Sequence, residues 1–184
     1  VYTWGARDYT ELFAERIRYE LDRKMDMVIN SAVDGDTCRG ILDTFDWRVT
    51  SFKPHVAFVM IGMNDCGSML DQGIDEFETN LNTLADRMAQ IDCHLILQTT
   101  CTVRTGMAAP HESHIDNYMQ KVRDVACAHQ LPLIDHTQYW QQHEDQADFW
   151  RGDPIHPNQY GHRVFANLLF QSLDIQDTAN DPKA

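Results

Sequence analysis

The residues best suited to chemistry lie in segment 153–158, which reads Asp-Pro-Ile-His-Pro-Asn. Asp153 precedes His156 by three positions, and two prolines stiffen the loop that holds them. A carboxylate that holds one ring nitrogen of a histidine leaves the other free to act as a general base toward a nucleophile. Such a pair is the base half of a nucleophilic hydrolase. The same spacing also fits a helix start with an incidental histidine, since Asp153 or Asn158 could cap the helix that follows.

Two further positions offer hydrogen-bond donors to a developing negative charge. Asn64, in the run Gly-Met-Asn-Asp at 62–65, follows an apolar strand and carries an amide NH2 group. Gly35 lies in loop 31–37, where the missing Cβ lets a backbone N–H approach a substrate oxygen. Taken singly, each residue could be an ordinary turn position. Together with the pair at 153–156, they indicate a site.

A nucleophile is not evident in the chain. The serines are Ser31, Ser51, Ser68, Ser113 and Ser172. None of them stands in a Gly-x-Ser-x-Gly elbow. Ser31 is near Gly35 in the sequence and Ser68 is near Asn64, so either could reach the same pocket, but neither is the expected nucleophile. Cys66 also lies next to Asn64, where a small buried side chain is the simpler interpretation.

The predicted elements place these residues at one edge of a sheet. Helices are predicted at 8–24, 38–51, 74–91, 114–128 and 158–173, and strands at 27–30, 56–61, 94–98 and 131–134. Segment 56–61 is apolar throughout, so we expect it to be buried on both faces. Strands that alternate with helices indicate right-handed crossovers and a mainly parallel sheet. In such sheets the working residues lie on loops at the carboxyl ends of the strands.

Composition limits the possible organisation and partners. The chain has 184 residues, of which 43% are hydrophobic, and this predicts one domain over residues 8–173 with a polar, frayed tail at 174–184. A net charge of -13 argues against a nucleic-acid partner, which would require clustered Lys and Arg. No apolar run reaches the length of about 18 residues that a membrane span needs.

The five cysteines are odd in number and form no CxxC motif. Buried free thiols are therefore expected, which favours a reducing compartment such as the cytoplasm.

Other residues near these motifs admit two interpretations. Trp140, Phe149 and Trp150 could line an acyl or sugar pocket, or could pack beneath the connection that leads to Asp153. Arg151 could bind a substrate anion or pair with a surface acid. His162 could join Asp153 and His156 in a metal site, although a capping or surface role is simpler.

From these motifs the chain resembles the SGNH hydrolases, the GDSL-type esterases and lipases. The family has four blocks: a Gly-Asp-Ser nucleophile, an oxyanion glycine, Gly-x-Asn-Asp and Asp-x-x-His. Gly35 matches the second, 62–65 the third, and 153–156 the fourth. The resemblance spans about residues 9–173 and implies a three-layer α/β/α sandwich of the flavodoxin-like kind.

The resemblance also implies roles for the four residues. His156 would be the general base, Asp153 its partner, and Gly35 N–H with the Asn64 amide the oxyanion donors. The substrate would be a small-molecule or carbohydrate ester, and no metal or organic cofactor is implied. The absence of a long apolar lid favours a short acyl group such as acetyl.

The first block departs from the family, because no Gly-Asp-Ser is present. The chain begins Val-Tyr-Thr-Trp without a Met, and we expect the first strand and the nucleophilic serine to precede Val1 in the natural protein. The alternative is a catalytically inactive module that binds a glycan or an ester without cleaving it.

Overall fold

The protein has an α/β fold in which a parallel sheet lies between two layers of helices. The computed structural model describes residues 7–67, 73–109 and 111–176. Strands β1 (Val56–Met60), β2 (His94–Gln98) and β3 (Leu133–Ile134) pair in the order β1-β2-β3, and both pairings are parallel. This confirms the predicted three-layer sandwich with a mainly parallel sheet. The organisation of residues 8–173 as one domain stays a prediction, and most of the tail at 174–184 lies outside the described residues.

The helices follow the strands along the chain. Those that the structure describes are α1 (Tyr9–Glu15), α2 (Cys38–Asp43), α3 (Phe45–Arg48), α4 (Met63–Gly67), α5 (Ile74–Gln90), α6 (Ile115–Ala128), α7 (His136–Gln142), α8 (Glu144–Trp150) and α9 (Gln159–Ser172). A π-helical turn, Arg16–Glu20, and two short 3-10 turns, Thr50–Phe52 and His111–Ser113, complete the described elements.

Strand β2 forms the centre of the core because its side chains are buried on both faces. Leu95 and Leu97 are 3% and 1% exposed and belong to one apolar cluster with helices α5 and α6. Helix α5 contributes a stripe at helical spacing whose residues are at most 1% exposed, namely Phe77, Leu81, Leu84 and Met88. The alternation of side chains along a strand sends Ile96 to the opposite face.

Helices α1 and α9 cover that opposite face. Ile96 and Ile134 pack there against Leu169 of α9. Helix α1 begins at a capping box, in which the Asp8 carboxylate accepts the N–H of Glu11 and the Glu11 carboxylate accepts the N–H of Asp8. The predicted helix at 8–24 is thus confirmed at its start, but it continues as a π-helical turn at Arg16–Glu20 and ends there.

The predicted helix at 38–51 is divided in the structure. Helix α2 ends at Thr44, whose φ and ψ of -113° and 11° leave the helical region, and α3 follows at once. The hydroxyl of Thr44 donates to the carbonyl of Gly40 at 2.6 Å, a local bond that competes with regular helix geometry. The predicted end is confirmed, since Lys53 has a φ of 49° immediately before Pro54.

Two strand predictions were wrong. Residues 27–30 form no strand within the described part of the chain, and Met27 is 81% exposed. A strand needs a neighbour to accept and donate its backbone hydrogen bonds, and none of the described residues supplies one to this segment. Strand β1 is not buried on both faces either, because Val56 is 44% exposed and Phe58 is only partly buried. It is the edge strand of the described sheet.

Two helices were not predicted at all. The connection between β3 and the loop at 153 folds as α7 and α8, which pack Trp140, Ala147 and Trp150 into a second apolar cluster. All five cysteines are free thiols, four of them buried and Cys127 exposed. None of the helices in the described part of the chain combines the length and apolar character of a membrane span.

The core assignment predicts a large effect from one truncation. Leu84 is fully buried between α5 and the sheet, so Leu84→Ala leaves a cavity and should lower the free energy of unfolding by about 2–5 kcal/mol. Met25→Ala, at a side chain that is 92% exposed, is the matched control and should change it by no more than about 0.5 kcal/mol. Urea denaturation measures both; equal effects would contradict the described packing.

Candidate active site

The loop at 151–157 is closed by backbone hydrogen bonds on both of its sides. Arg151 and Pro157 form an isolated antiparallel bridge, and the N–H of Gly152 donates to the carbonyl of His156 at 2.9 Å. The N–H of Asn158 donates to the carbonyl of Trp150 at 2.8 Å. The loop is therefore a narrow turn that projects from the junction of α8 and α9.

Asp153 and His156 face each other across this turn. Their atoms Oδ2 and Nδ1 are 2.7 Å apart. The second carboxylate oxygen of Asp153 accepts the backbone N–H groups of Ile155 at 2.9 Å and His156 at 2.8 Å. One carboxylate thus shapes the turn and orients the ring. Nε2 of His156 has no hydrogen-bond partner among the described residues, and the side chain is 54% exposed.

The Asp153 carboxyl is held in its ionised form. Partial burial would raise its pKa, but the hydrogen bonds from the N–H of Ile155, the ring of His156 and the N–H of His156 outweigh this, and the pKa lies below its usual value. An ionised carboxylate at Nδ1 stabilises the imidazolium that forms when His156 takes up a proton. The pair can therefore act as an oriented general base.

Arg151 fastens this turn to the segment that follows β2. Its Nε donates to the carbonyl of Thr102 at 3.2 Å and its Nη2 to the carbonyl of Val103 at 3.3 Å and to the hydroxyl of Thr102. Nη1 pairs with Asp148 at 2.9 Å, and the side chain is only 6% exposed. Of its two sequence-based interpretations, pairing with an acid is the one that the structure supports.

Helix α9 begins directly beneath the turn. The Asn158 side chain caps it by accepting the N–H of Tyr160 at 2.8 Å and of Gly161 at 3.1 Å. A Cβ at Gly161 would lie 2.4 Å from the carbonyl oxygen of Trp150 and 2.8 Å from the Cβ of Pro157. Only glycine lets the helix approach the turn this closely.

Asn64 is carried by α4 at the carboxyl end of β1, as predicted. The turn into α4 passes through Gly62, whose φ of 112° strains any other residue and whose missing Cβ makes room for Met119 and Phe77. The amide Nδ2 of Asn64 donates to the carbonyl of Asp36 at 2.8 Å. That bond fixes the amide plane and leaves its second N–H available to a ligand.

Gly35 lies in a turn between Val33 and Asp36, and its φ of 74° requires glycine or a strained residue. Nothing lies within 4 Å of the position of a Cβ, so the approach to its backbone is open. The bond from Asn64 to Asp36 places this turn beside α4. The two candidate donors are thus adjacent although 29 positions separate them in the sequence.

Electrostatic contacts place the turn at 151–157 near the same two segments. Asp34, next to Gly35, lies within electrostatic range of His156. His111 is also within range of His156, and its ring packs on Gly67 at the end of α4. The structure therefore brings the four predicted residues to one region, at the carboxyl ends of β1 and β2. Their catalytic roles stay predictions.

Sequence reasoning missed the contribution of His111. Burial lowers its pKa, a bond to the carbonyl of Ala108 opposes this, and the proximity of His156 lowers the pKa further. His111 therefore contributes a neutral ring to the neighbourhood of His156. It belongs to no motif and follows a connection without periodicity, so no pattern in the sequence indicated it.

Two of the candidate serines donate their hydroxyl protons to backbone carbonyls, and burial disfavours the thiolate of Cys66. Ser51 and Ser172 donate to the helix carbonyls of Trp47 and Leu168, Ser113 lies in the 3-10 turn at His111–Ser113, and Ser68 lies outside the described residues. Burial, with the nearby Asp65 charge, raises the pKa of the Cys66 thiol to about 12, so that this thiol stays protonated.

Three of the remaining candidates, Trp140, Trp150 and His162, pack in the interior. Trp140 and Trp150 are 0% and 7% exposed, which supports packing over pocket lining, whereas Phe149 is exposed and stacks on Tyr160 with ring centroids 4.5 Å apart. His162 is buried, and its Nδ1 accepts the N–H of Tyr9 at 3.4 Å.

Comparison with known proteins identifies a family. A model of the GDSL-like lipase/acylhydrolase family matches residues 1–164. A search of curated proteins found no match.

Solved structures share the fold. An α/β hydrolase enzyme, LAE5, from the metagenome of Lake Arreo is 24% identical with a TM-score of 0.82, over 93% of this chain and 83% of that one. Axe2, an acetylxylan esterase from Geobacillus stearothermophilus, matches through two catalytic mutants. The variant with a serine changed to alanine is 20% identical with a TM-score of 0.80, over 92% and 82% of the two chains. The variant with a histidine changed to alanine is 19% identical with a TM-score of 0.81, over 94% and 83%.

The close approach at Gly161 can be tested against Gly152, a glycine in the turn that α9 approaches. Gly161→Ala should lower the free energy of unfolding by about 1–3 kcal/mol, because its methyl group would overlap the Trp150 carbonyl and force α9 away from the turn. Gly152→Ala should have little effect, since its Cβ would meet no atom closer than 3.7 Å. Thermal unfolding compares the two, and a Gly152→Ala variant that loses as much stability would contradict this packing.

Proposed function

The chain belongs to the GDSL-like lipase/acylhydrolase family, and on that basis we propose that it is a serine-type hydrolase of carboxylic esters. The observation that carries the proposal is the Asp153–His156 pair, with a 2.7 Å hydrogen bond at Nδ1 and an open Nε2. An imidazole held in this way accepts a proton from a nucleophile and later delivers it to a leaving group.

In the proposed reaction a serine hydroxyl attacks the ester carbonyl while His156 Nε2 takes its proton. The carbonyl oxygen becomes an oxyanion, which accepts hydrogen bonds from the Gly35 N–H and from the second N–H of the Asn64 amide. Collapse of the intermediate breaks the bond to the alcohol, and His156 returns the proton to the departing oxygen. A water molecule, activated by the same imidazole, then releases the acid and restores the serine.

We place the serine in residues that precede Val1 in the natural protein. Three features support this placement. Among the described residues, His156 Nε2 has no hydrogen-bond partner and strand β1 has a free edge. In addition, Met27 and Ile29 expose apolar surface that a further strand could cover. The two catalytic mutants of Axe2 replace a serine and a histidine, which are the residue types that the proposed reaction uses.

A short acyl group, such as acetyl on a carbohydrate, is the proposed substrate class. Support comes from the sequence, which has no long apolar lid segment, and from the fold shared with an acetylxylan esterase. The sugar or other alcohol is left open.

Replacement of the base tests the mechanism. His156→Ala should lower kcat on p-nitrophenyl acetate by about a thousandfold or more with a much smaller change in KM, because the proton transfer occurs only on the way to the transition state. His94→Ala, at an exposed position at the start of β2, is the control and should keep normal kinetics. Near-normal turnover of the His156→Ala protein would end the assignment.

The nucleophile can be located by covalent labelling. A serine-directed organophosphate should inactivate the natural protein and leave one adduct, which peptide mass spectrometry should map to a serine before Val1 within a Gly-Asp-Ser sequence. An adduct on Ser31 or Ser113 would refute the placement. Ester binding without hydrolysis or labelling would favour the alternative of an inactive binding module.

A further inference from the structure

Two hydrogen bonds connect the Gly35 turn to α4. The Asn64 amide donates to the carbonyl of Asp36 at 2.8 Å, and the N–H of Cys38 donates to Asp65 Oδ1 at 2.9 Å. Asp65 is only 2% exposed, so the second bond lies in the interior. A buried carboxylate bonded to a distant backbone N–H fixes the separation of the two segments more firmly than a surface contact would.

The Asp65 carboxylate also accepts hydrogen bonds from backbone groups close to it in the sequence. The backbone N–H groups of Gly62 and Asp65 bond to it together with that of Cys38. Cys38 is the first residue of α2, where a helix leaves N–H groups unpaired. One carboxylate therefore joins the turn before α4 to the start of α2, and each of these segments borders one of the candidate oxyanion donors.

The remainder of the Gly35 loop is anchored independently. Arg48 pairs with the Asp36 carboxylate at 2.6 Å, and their side chains are 7% and 14% exposed. Its Nε donates to the carbonyl of Ser31 at 3.0 Å. Gly35 thus lies between an arginine anchor on one side and the Asp65 bond on the other, and the position of its N–H relative to Asn64 depends on both.

We propose that Asp65 is a positioning residue for the oxyanion donors, whose buried carboxylate sets the distance between the Gly35 N–H and the Asn64 amide. The proposal rests on the function proposed above, because it assigns Asp65 an effect on the transition state that its neighbours stabilise. Asp65 itself does not touch the substrate.

The ionisable groups around Asp65 are Asp36, Cys38, Cys66 and Tyr118. Burial raises the pKa of both thiols and of the Tyr118 hydroxyl, so these three stay neutral. Burial also raises the pKa of Asp65 to about 6, against the opposing backbone bonds from Cys38, Asp65 and Gly62 and with the Asp36 charge adding to the rise. Below that pH the carboxyl gains a proton and becomes a weaker acceptor, which loosens the connection to α2.

This titration separates positioning from plain stabilisation. The folded-state pKa of Asp65 lies above its unfolded value, so the folded protein binds more protons between pH about 4 and 6. Through this group, stability therefore rises as the pH falls across that window. Activity should fall across the same window by more than protonation of the His156 base alone would cause, and a purely structural role of Asp65 would not produce this additional loss.

Replacement of the carboxylate by its amide tests the proposal. Asp65→Asn keeps the shape but turns one acceptor oxygen into a donor, and it should lower kcat on p-nitrophenyl acetate by about a hundredfold, the cost of a misplacement near 1 Å, with KM changed less than about threefold. Asp43→Asn removes a carboxylate that is 71% exposed from α2 and should leave both constants unchanged. An Asp65→Asn enzyme with wild-type kcat would overturn the proposal.

The pH profile gives a second readout. Both His156 and Asp65 must be deprotonated in the active enzyme, so the acid limb of log kcat/KM should approach a slope of about two in the wild type and about one in Asp65→Asn. A wild-type slope of about one would overturn the proposal. Because it uses the wild-type protein, this measurement tests the positioning role of Asp65 even if the Asp65→Asn variant fails to fold.

An NMR measurement on one backbone amide distinguishes a failure of the positioning role from a failure of the proposed function. In the wild-type protein the NMR signal of the Cys38 N–H should shift with a midpoint near pH 6, as the carboxyl that it bonds gains a proton. A Cys38 signal that shows no response to protonation of the carboxyl at any pH at which the protein stays folded overturns the positioning role. A protein that hydrolyses no ester but shows the titration contradicts the proposed function while the Asp65 connection stands.

Discussion

Burial of strand β2 on both faces is the constraint on which the rest of the structure depends. Leu95 and Leu97 fill the space against α5 and α6, and Ile96 fills the space against α9. Because β1 and β3 pair with β2 in parallel, their carboxyl ends emerge at the same edge. The residues that could do chemistry need only lie a few positions beyond these ends to meet.

Where the local sequence pattern and the tertiary packing agree, the sequence was sufficient to predict the structure. Helix α5 and strand β2 were predicted nearly residue by residue, since a stripe of four apolar side chains and an apolar run each admit one burial pattern. The Asp153–His156 contact was also predictable, because it forms within one short turn. The position of Asn64 at the end of β1 followed from the alternation of strands and helices.

Predictions failed where the outcome depends on partners that are distant in the sequence. Segment 27–30 has the composition of a strand but no strand beside it among the described residues. Helices α7 and α8 lie in a polar stretch in which Trp140, Ala147 and Trp150 pack against the core. The buried side chains of Gln98 and His136, joined by a 3.0 Å hydrogen bond, escape pattern analysis for the same reason. No periodic pattern in the sequence indicates a hydrogen bond between residues that are 38 positions apart.

The two halves of the site are consequently stabilised in different ways. The Asp153–His156 pair is about half exposed, so water screens it and it contributes little to the stability of the fold. Its value lies in orientation, which one turn and the Arg151 anchor supply. The donors near Gly35 and Asn64 instead depend on buried charges, Asp65 and the Arg48–Asp36 pair, which are costly to bury and rigid once paired. Changes in the interior between α2 and α4 would therefore displace the donors without moving the base, so the two halves can be perturbed separately.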